Sequence, residues 1–68
     1  MSEINWQQKR NVYRNTETEE LFVEVPGGML ELDDYTDEGG FATHRSLCEP
    51  LVLVGQFTNA QMSNGLDI

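Results

Sequence analysis

Positive charge is what this sequence has least of: four Lys and Arg stand against twelve Asp and Glu, a formal net charge of −8 over 68 residues. Phosphates and anionic lipid repel such a chain, which argues against direct binding to DNA, RNA or a membrane and favours basic partners. Cysteine is nearly absent too. Cys48 stands alone, so no intramolecular disulfide can form, and with a single histidine, His44, a zinc site falls well short of its usual four ligands. No apolar run at the start reads as a signal peptide and none is long enough to span a bilayer, so the expectation is an intracellular, cytoplasmic protein. Long chain is also lacking. Sixty-eight residues make one domain at most, with little room for a deep active-site cavity beside its core.

What is present suffices for a small core. Leu, Ile, Val and Phe number 17, a quarter of the chain, which is above the level of a disordered sequence. The charges are segregated. Lys9, Arg10 and Arg14 make a basic head, whereas no Lys or Arg occurs from Asn15 through His44 and nine acids do.

The hydrophobic pattern is mostly that of strands. Asn11–Asn15 (NVYRN) is a short β-prone run ending in the polar turn TETE. In Glu20–Val25 (ELFVEV), Leu21, Val23 and Val25 share one face, with Phe22 and Glu24 on the other. Pro26-Gly27-Gly28 makes a tight reversal. A second strand then runs from Met29 to Asp33 or Asp34, with Leu30 and Leu32 inward and Met29, Glu31 and Asp33 outward. After a DEGG turn, Phe41–Leu47 is predicted as a third long strand, broken by CEP. Leu51–Phe57 (LVLVGQF) is the last, apolar on both faces for four residues and therefore expected to be central or covered on both sides, with Gly55 at a bulge. The ends are weaker. Residues 1–9 read as a short helical head starting at Ser2-Glu3, with Trp6 as its anchor on the core. Residues 59–68 read as a flexible or loosely docked tail, with one helical turn over Asn59–Ser63 stopped by Asn64-Gly65. The expected fold is mainly β: a small curled antiparallel sheet or partly open barrel of four to five strands, SH3-like or OB-like in scale, with one-turn helices at its ends.

Glu31 to Glu38 packs five carboxylates into eight positions. An EF-hand started at Asp34 puts Thr36, Glu38 and Gly39 in workable places but Arg45 at the twelfth position, where a bidentate Glu is required. Started at Asp33, it puts Glu38 where the glycine belongs. Only an irregular, weak divalent site through Asp33, Asp34, Asp37 and Glu38 is left, and no metal or cofactor is assigned. Catalysis fares worse. These carboxylates lie in a polar turn that water screens, and His44, Ser46 and Cys48 come with no oxyanion hole or cleft. Neither glycine doublet has the spacing or the lysine of a phosphate loop. In the tail, Gln61-Met62-Ser63 resembles the opening of bacterial sliding-clamp-binding peptides, but Asn64 and Gly65 stand where a leucine and an aromatic belong.

The acids are then best read as a surface. Strand residues two apart lie about 6.6–7 Å from each other, broadly the spacing of phosphates along nucleic acid. The expectation is a non-enzymatic module presenting Glu24, Glu31, Asp33, Asp34, Asp37 and Glu38 to a basic protein partner, such as a nucleic-acid-binding protein, with Tyr35 as an aromatic anchor. Its small size, single domain and acidity resemble those of small phage-encoded inhibitors of DNA- or RNA-handling enzymes. The alternative is an assembly subunit, a homo-oligomer joined through its basic head, its acidic middle and an open sheet edge.

Overall fold

The computed structural model describes residues 4–66, and they form one four-stranded antiparallel sheet that does not close, with two short helices. The strands are β1 (Lys9–Asn15), β2 (Leu21–Val25), β3 (Gly28–Glu31) and β4 (Leu51–Thr58), in the order β3-β2-β1-β4. The helices are α1 (Leu32–Thr36) and α2 (Asn59–Ser63). Ser2 and Glu3, at the start of the expected helical head, and Ile68 lie outside the described residues.

The β2–β3 hairpin follows from its turn. Val25 pairs with Gly28 across Pro26-Gly27, and Gly27 takes a φ of +94°, which a side chain would resist. The register places Val12, Val23 and Leu30 side by side on one face, and Tyr13, Phe22 and Glu31 on the other. The first face carries the core. Val12, Val23 and Met62 are fully enclosed, with Leu21, Val25, Leu32, Tyr35, Phe57 and Leu66 packed around them. Inward Leu21, Val23 and Val25 are as the alternation predicts.

The second face is covered at Met29, which corrects the expectation that this side chain points outward. That side chain is 1% exposed, because Thr43 pairs with Met29 along the outer edge of β3 and Cys48 buries nearby. Gly28 permits the approach: a Cβ there would lie 2.4 Å from the Thr43 carbonyl oxygen. The expected third strand over Phe41–Leu47 therefore shrinks to one bridge at Thr43, and Arg45–Leu47 turns into a 3-10 helix. The cause is local. His44 Nδ1 accepts the Ser46 N–H at 3.2 Å, which offers the backbone a cap in place of a ladder. Phe41 is left 94% exposed.

Three further expectations change. β3 ends at Glu31, and Leu32, Asp33 and Asp34 start α1 instead of extending the strand. Leu32 and Tyr35, three apart, turn onto the core while Asp33 and Asp34 face solvent in the first turn, the favourable end of the helix dipole for acids. β4 has its expected extent and a bulge between its pairs to Val12 and Tyr13, next to Gly55, yet it lies at the edge of the sheet and not in its centre. Val52 and Leu53 are 41% and 55% exposed. Trp6 is no core anchor: residues 5–8 form a turn closed by the Gln8 N–H donating to the Asn5 carbonyl at 3.1 Å, and the indole is 49% exposed.

The helical turn over Asn59–Ser63 is where the sequence places it. Thr58 and Gln61 form a reciprocal capping box, and Phe57 and Met62 sit at the positions of a hydrophobic staple across it. The segment through Leu66 is thus docked on the core, with Met62 2% exposed. No helix among the described residues is long and apolar enough to cross a membrane.

Candidate functional site

A recess of about 410 Å³ lies between the N-terminal turn, α1 with the turn after it, and α2. Its walls combine Ile4, Trp6, Leu30 and Tyr35 with Asp34 and Glu38. Asn59 holds the parts together. It is buried, its amide donates to the Asn5 carbonyl at 2.7 Å, and its Oδ1 accepts the Tyr35 hydroxyl. Its backbone N–H donates to the Gln8 carbonyl at 3.0 Å, and that of Ala60 donates to the Trp6 carbonyl at 3.0 Å. The N-terminal turn is therefore pinned to α2 by three hydrogen bonds while its indole remains half in water.

The turn after α1 is shaped by two left-handed residues. Glu38 has φ +57° and Gly40 φ +76°, and the chain folds so closely over Asp34 that a Cβ on Gly40 would lie 2.8 Å from Asp34 Oδ2. Asp34 is thereby walled on one side, and the Gly39 N–H donates to its carbonyl at 2.9 Å.

The seven acidic and aromatic residues singled out in the sequence do not form one patch. Asp34, Tyr35 and Glu38 line the Trp6 recess. Glu31 and Asp33 border a shallow neighbouring hollow with Glu19 and Glu20 from the β1–β2 turn. There the carboxylates crowd one another: the Glu31 carboxyl is pushed above its ordinary value, first by the charge of Glu20, then by slight desolvation, then by Asp34, with smaller contributions from a Glu20 hydrogen bond and from Asp33. Asp37 is exposed at the end of α1. Glu24 lies apart on the second sheet face. Its Oε1 accepts from Asn11 Nδ2 at 2.9 Å and from the Tyr13 hydroxyl at 3.4 Å, so it is spent on the sheet's own network. The even spacing expected along Glu31 and Asp33 is lost, because Asp33 belongs to the helix. Tyr35 is half-buried against the core, and its hydroxyl also accepts from Arg10 Nε at 3.4 Å. It is a wall of the recess more than a protruding anchor.

His44, Ser46 and Cys48 are neighbours without a shared cleft. Ser46 Oγ lies 2.8 Å from His44 Nδ1, but both are exposed within one local turn. Cys48 is buried, and burial, before the charges of Glu31 and Glu20, pushes its thiol up and away from the reactive thiolate. Among the described residues no three His, Cys, Asp or Glu side chains converge as a metal would need.

Trp6 was not legible as part of the site. It lies 28 positions before Asp34, and the bond that brings its turn there, Asn59 to Asn5, spans 54. No protein-family model matches this chain, and no curated protein and no solved structure matches it.

Proposed function

We propose that the protein is a small, non-enzymatic binding module that offers an acidic surface to a basic protein partner. The observation behind the reading is the crowding of exposed carboxylates where the β1–β2 turn meets the end of β3, expressed in the raised pKa of Glu31 beside Glu20, Asp34 and Asp33. Like charges held together weaken a fold that gains nothing else from them, and a cationic surface relieves the repulsion on contact. The narrower form of the proposal is mimicry: carboxylates standing in for phosphates in the groove of a DNA- or RNA-handling protein, as a phage-type inhibitor would use them inside a cell. The test is capture of partners at low salt, elution with heparin, and a parallel capture by the Glu20→Gln, Glu31→Gln, Asp33→Asn triple variant. The variant should fold and lose the heparin-eluted proteins. Undiminished capture would remove the acidic surface from the account.

One observation favours a second reading, self-assembly. β4 is an eight-residue edge strand with no charged residue and with Val52 and Leu53 exposed. Natural edges are usually blunted by charge or proline. Pairing of β4 with β4 of a second copy would extend the sheet, while the basic head of one copy meets the acidic middle of the next. Sedimentation at low and high salt separates the two: a salt-sensitive oligomer supports assembly, and a monomer at both removes it.

A further inference from the structure

We infer that the recess between Trp6 and α1 is a receptor for one arginine side chain, presented on a basic peptide segment or loop of a partner protein. The inference rests on the acidic-module reading and gives that surface a defined point of contact. Its basis is the aromatic lining. Trp6 keeps 49% of its surface in water although its carbonyl and those of Asn5 and Gln8 are fixed by hydrogen bonds to Asn59 and Ala60. With its backbone already fixed, a large indole needs less ordering on binding than one on a free segment. Tyr35 is equally fixed, through its hydroxyl bond to Asn59. Ile4 and Leu30 complete the apolar wall, and the recess of about 410 Å³ falls within the range of small-ligand sites.

The mixture of side chains selects the occupant. A purely apolar group would shield Asp34 and Glu38 from water and give them no partner, which is costly. An ammonium group is compact and strongly hydrated. A guanidinium is planar and weakly hydrated; it stacks on an aromatic face while its fork of N–H donors meets a carboxylate. Asp34 is suited to that role, because it is exposed on the wall of the recess with Gly40 passing close beside its carboxylate. Among the described residues, Arg10 is the cation hydrogen-bonded to a lining side chain; it donates to the Tyr35 hydroxyl and does not itself line the recess.

Trp6 is the only tryptophan, so its emission reports on this recess alone. The probe is a blocked pentapeptide with one central arginine, compared with the same peptide carrying citrulline, a neutral near-isostere, or lysine. The arginine peptide should give a saturable shift in Trp6 emission. Citrulline should give none, and lysine should bind roughly three- to five-fold more weakly, the scale of a lost stacking contact. Asp34→Asn should weaken the arginine peptide by about ten-fold, the scale of a lost charge-assisted hydrogen bond. In Trp6→Leu, followed by calorimetry, binding should fall below detection. An equal response to arginine and citrulline would overturn the inference without any change to the protein's fold. Arginine binding that survives Trp6→Leu but vanishes in the Glu20→Gln, Glu31→Gln, Asp33→Asn variant would also overturn it, and would leave the broader acidic surface standing. Binding that survives the triple variant and is lost in Trp6→Leu places the contact in the recess and removes it from the crowded acids.

Discussion

Asn15 and Asn59 are the buried polar side chains among the described residues, and each ties together segments far apart in the chain. Asn15 donates from Nδ2 to the Cys48 carbonyl at 2.7 Å, and its Oδ1 accepts the N–H groups of Glu17 at 2.8 Å and Thr18 at 3.0 Å. It thus shapes the β1–β2 turn and anchors the segment that covers Met29. Replacing it with alanine leaves a buried carbonyl without its donor and two turn N–H groups dependent on water. Asn15→Ala should cost about 2–3 kcal/mol in urea unfolding, and a loss under about 1 kcal/mol would show that water replaces the amide freely. Glu31 should behave in the opposite sense. Its folded-state pKa lies above the ordinary 4.5, so the folded protein holds this proton more tightly than the unfolded chain. The associated stability is present below pH 4.5 and is lost as pH rises through the folded value. Glu31→Gln should therefore raise Tm at pH 7, with the advantage closing as pH falls below about 4. A lower Tm at neutral pH would mean that the Glu31 charge is compensated.

α2 shows how a very short element can be held at both ends. Five residues make an unstable helix in isolation, so the capping box and the burial of Met62 must supply its order. Thr58→Ala removes the side chain that accepts the Gln61 N–H at 3.1 Å and should cost about 1 kcal/mol. Amide exchange in Asn59–Ser63 should accelerate while β1 stays protected, because the local loss does not reach the sheet. The elements differ in how openly the sequence declares them. The β2–β3 hairpin was legible because strict alternation and Pro-Gly-Gly agree with one another. α1 was misread because Leu30 and Leu32 alternate like a strand, while the competing pair Leu32 and Tyr35, at helical spacing, is only two members long. Phe41–Leu47 was misread because the His44–Ser46 cap outweighs strand preference in a segment with a single edge partner. The length of β4 was legible, but not its position. Apolar residues on both faces usually mark a central strand, and here α2 folds back at the Phe57 end while Val52 and Leu53 are left beside Arg14 and Tyr13. Of the candidate site, the exposure of the acids could be read from the chain; the arrival of Trp6 beside Asp34 could not, since it depends on one buried asparagine.

Across the whole molecule, net charge and thinness combine. The chain carries −8, and its shortest extent is 15 Å, under twice the screening length of roughly 8 Å at physiological ionic strength. Carboxylates in the β1–β2 turn and in α1 therefore act on one another across the fold as well as between neighbours, and self-repulsion opposes compaction. Raising NaCl from about 20 mM to about 0.5 M shortens the screening length several-fold and should raise Tm. An uncharged osmolyte, matched in osmolality, separates screening from general preferential exclusion. The same titration should weaken binding to any basic partner, because that attraction is screened by the same ions. Stability and affinity should consequently move in opposite directions along one salt axis. If both rise with salt, binding is driven by apolar burial and Val52 and Leu53 become its better seat. If both fall, the acids are already neutralised within the fold by Lys9, Arg10, Arg14 and Arg45, and crowding at Glu31 no longer argues for an outside partner.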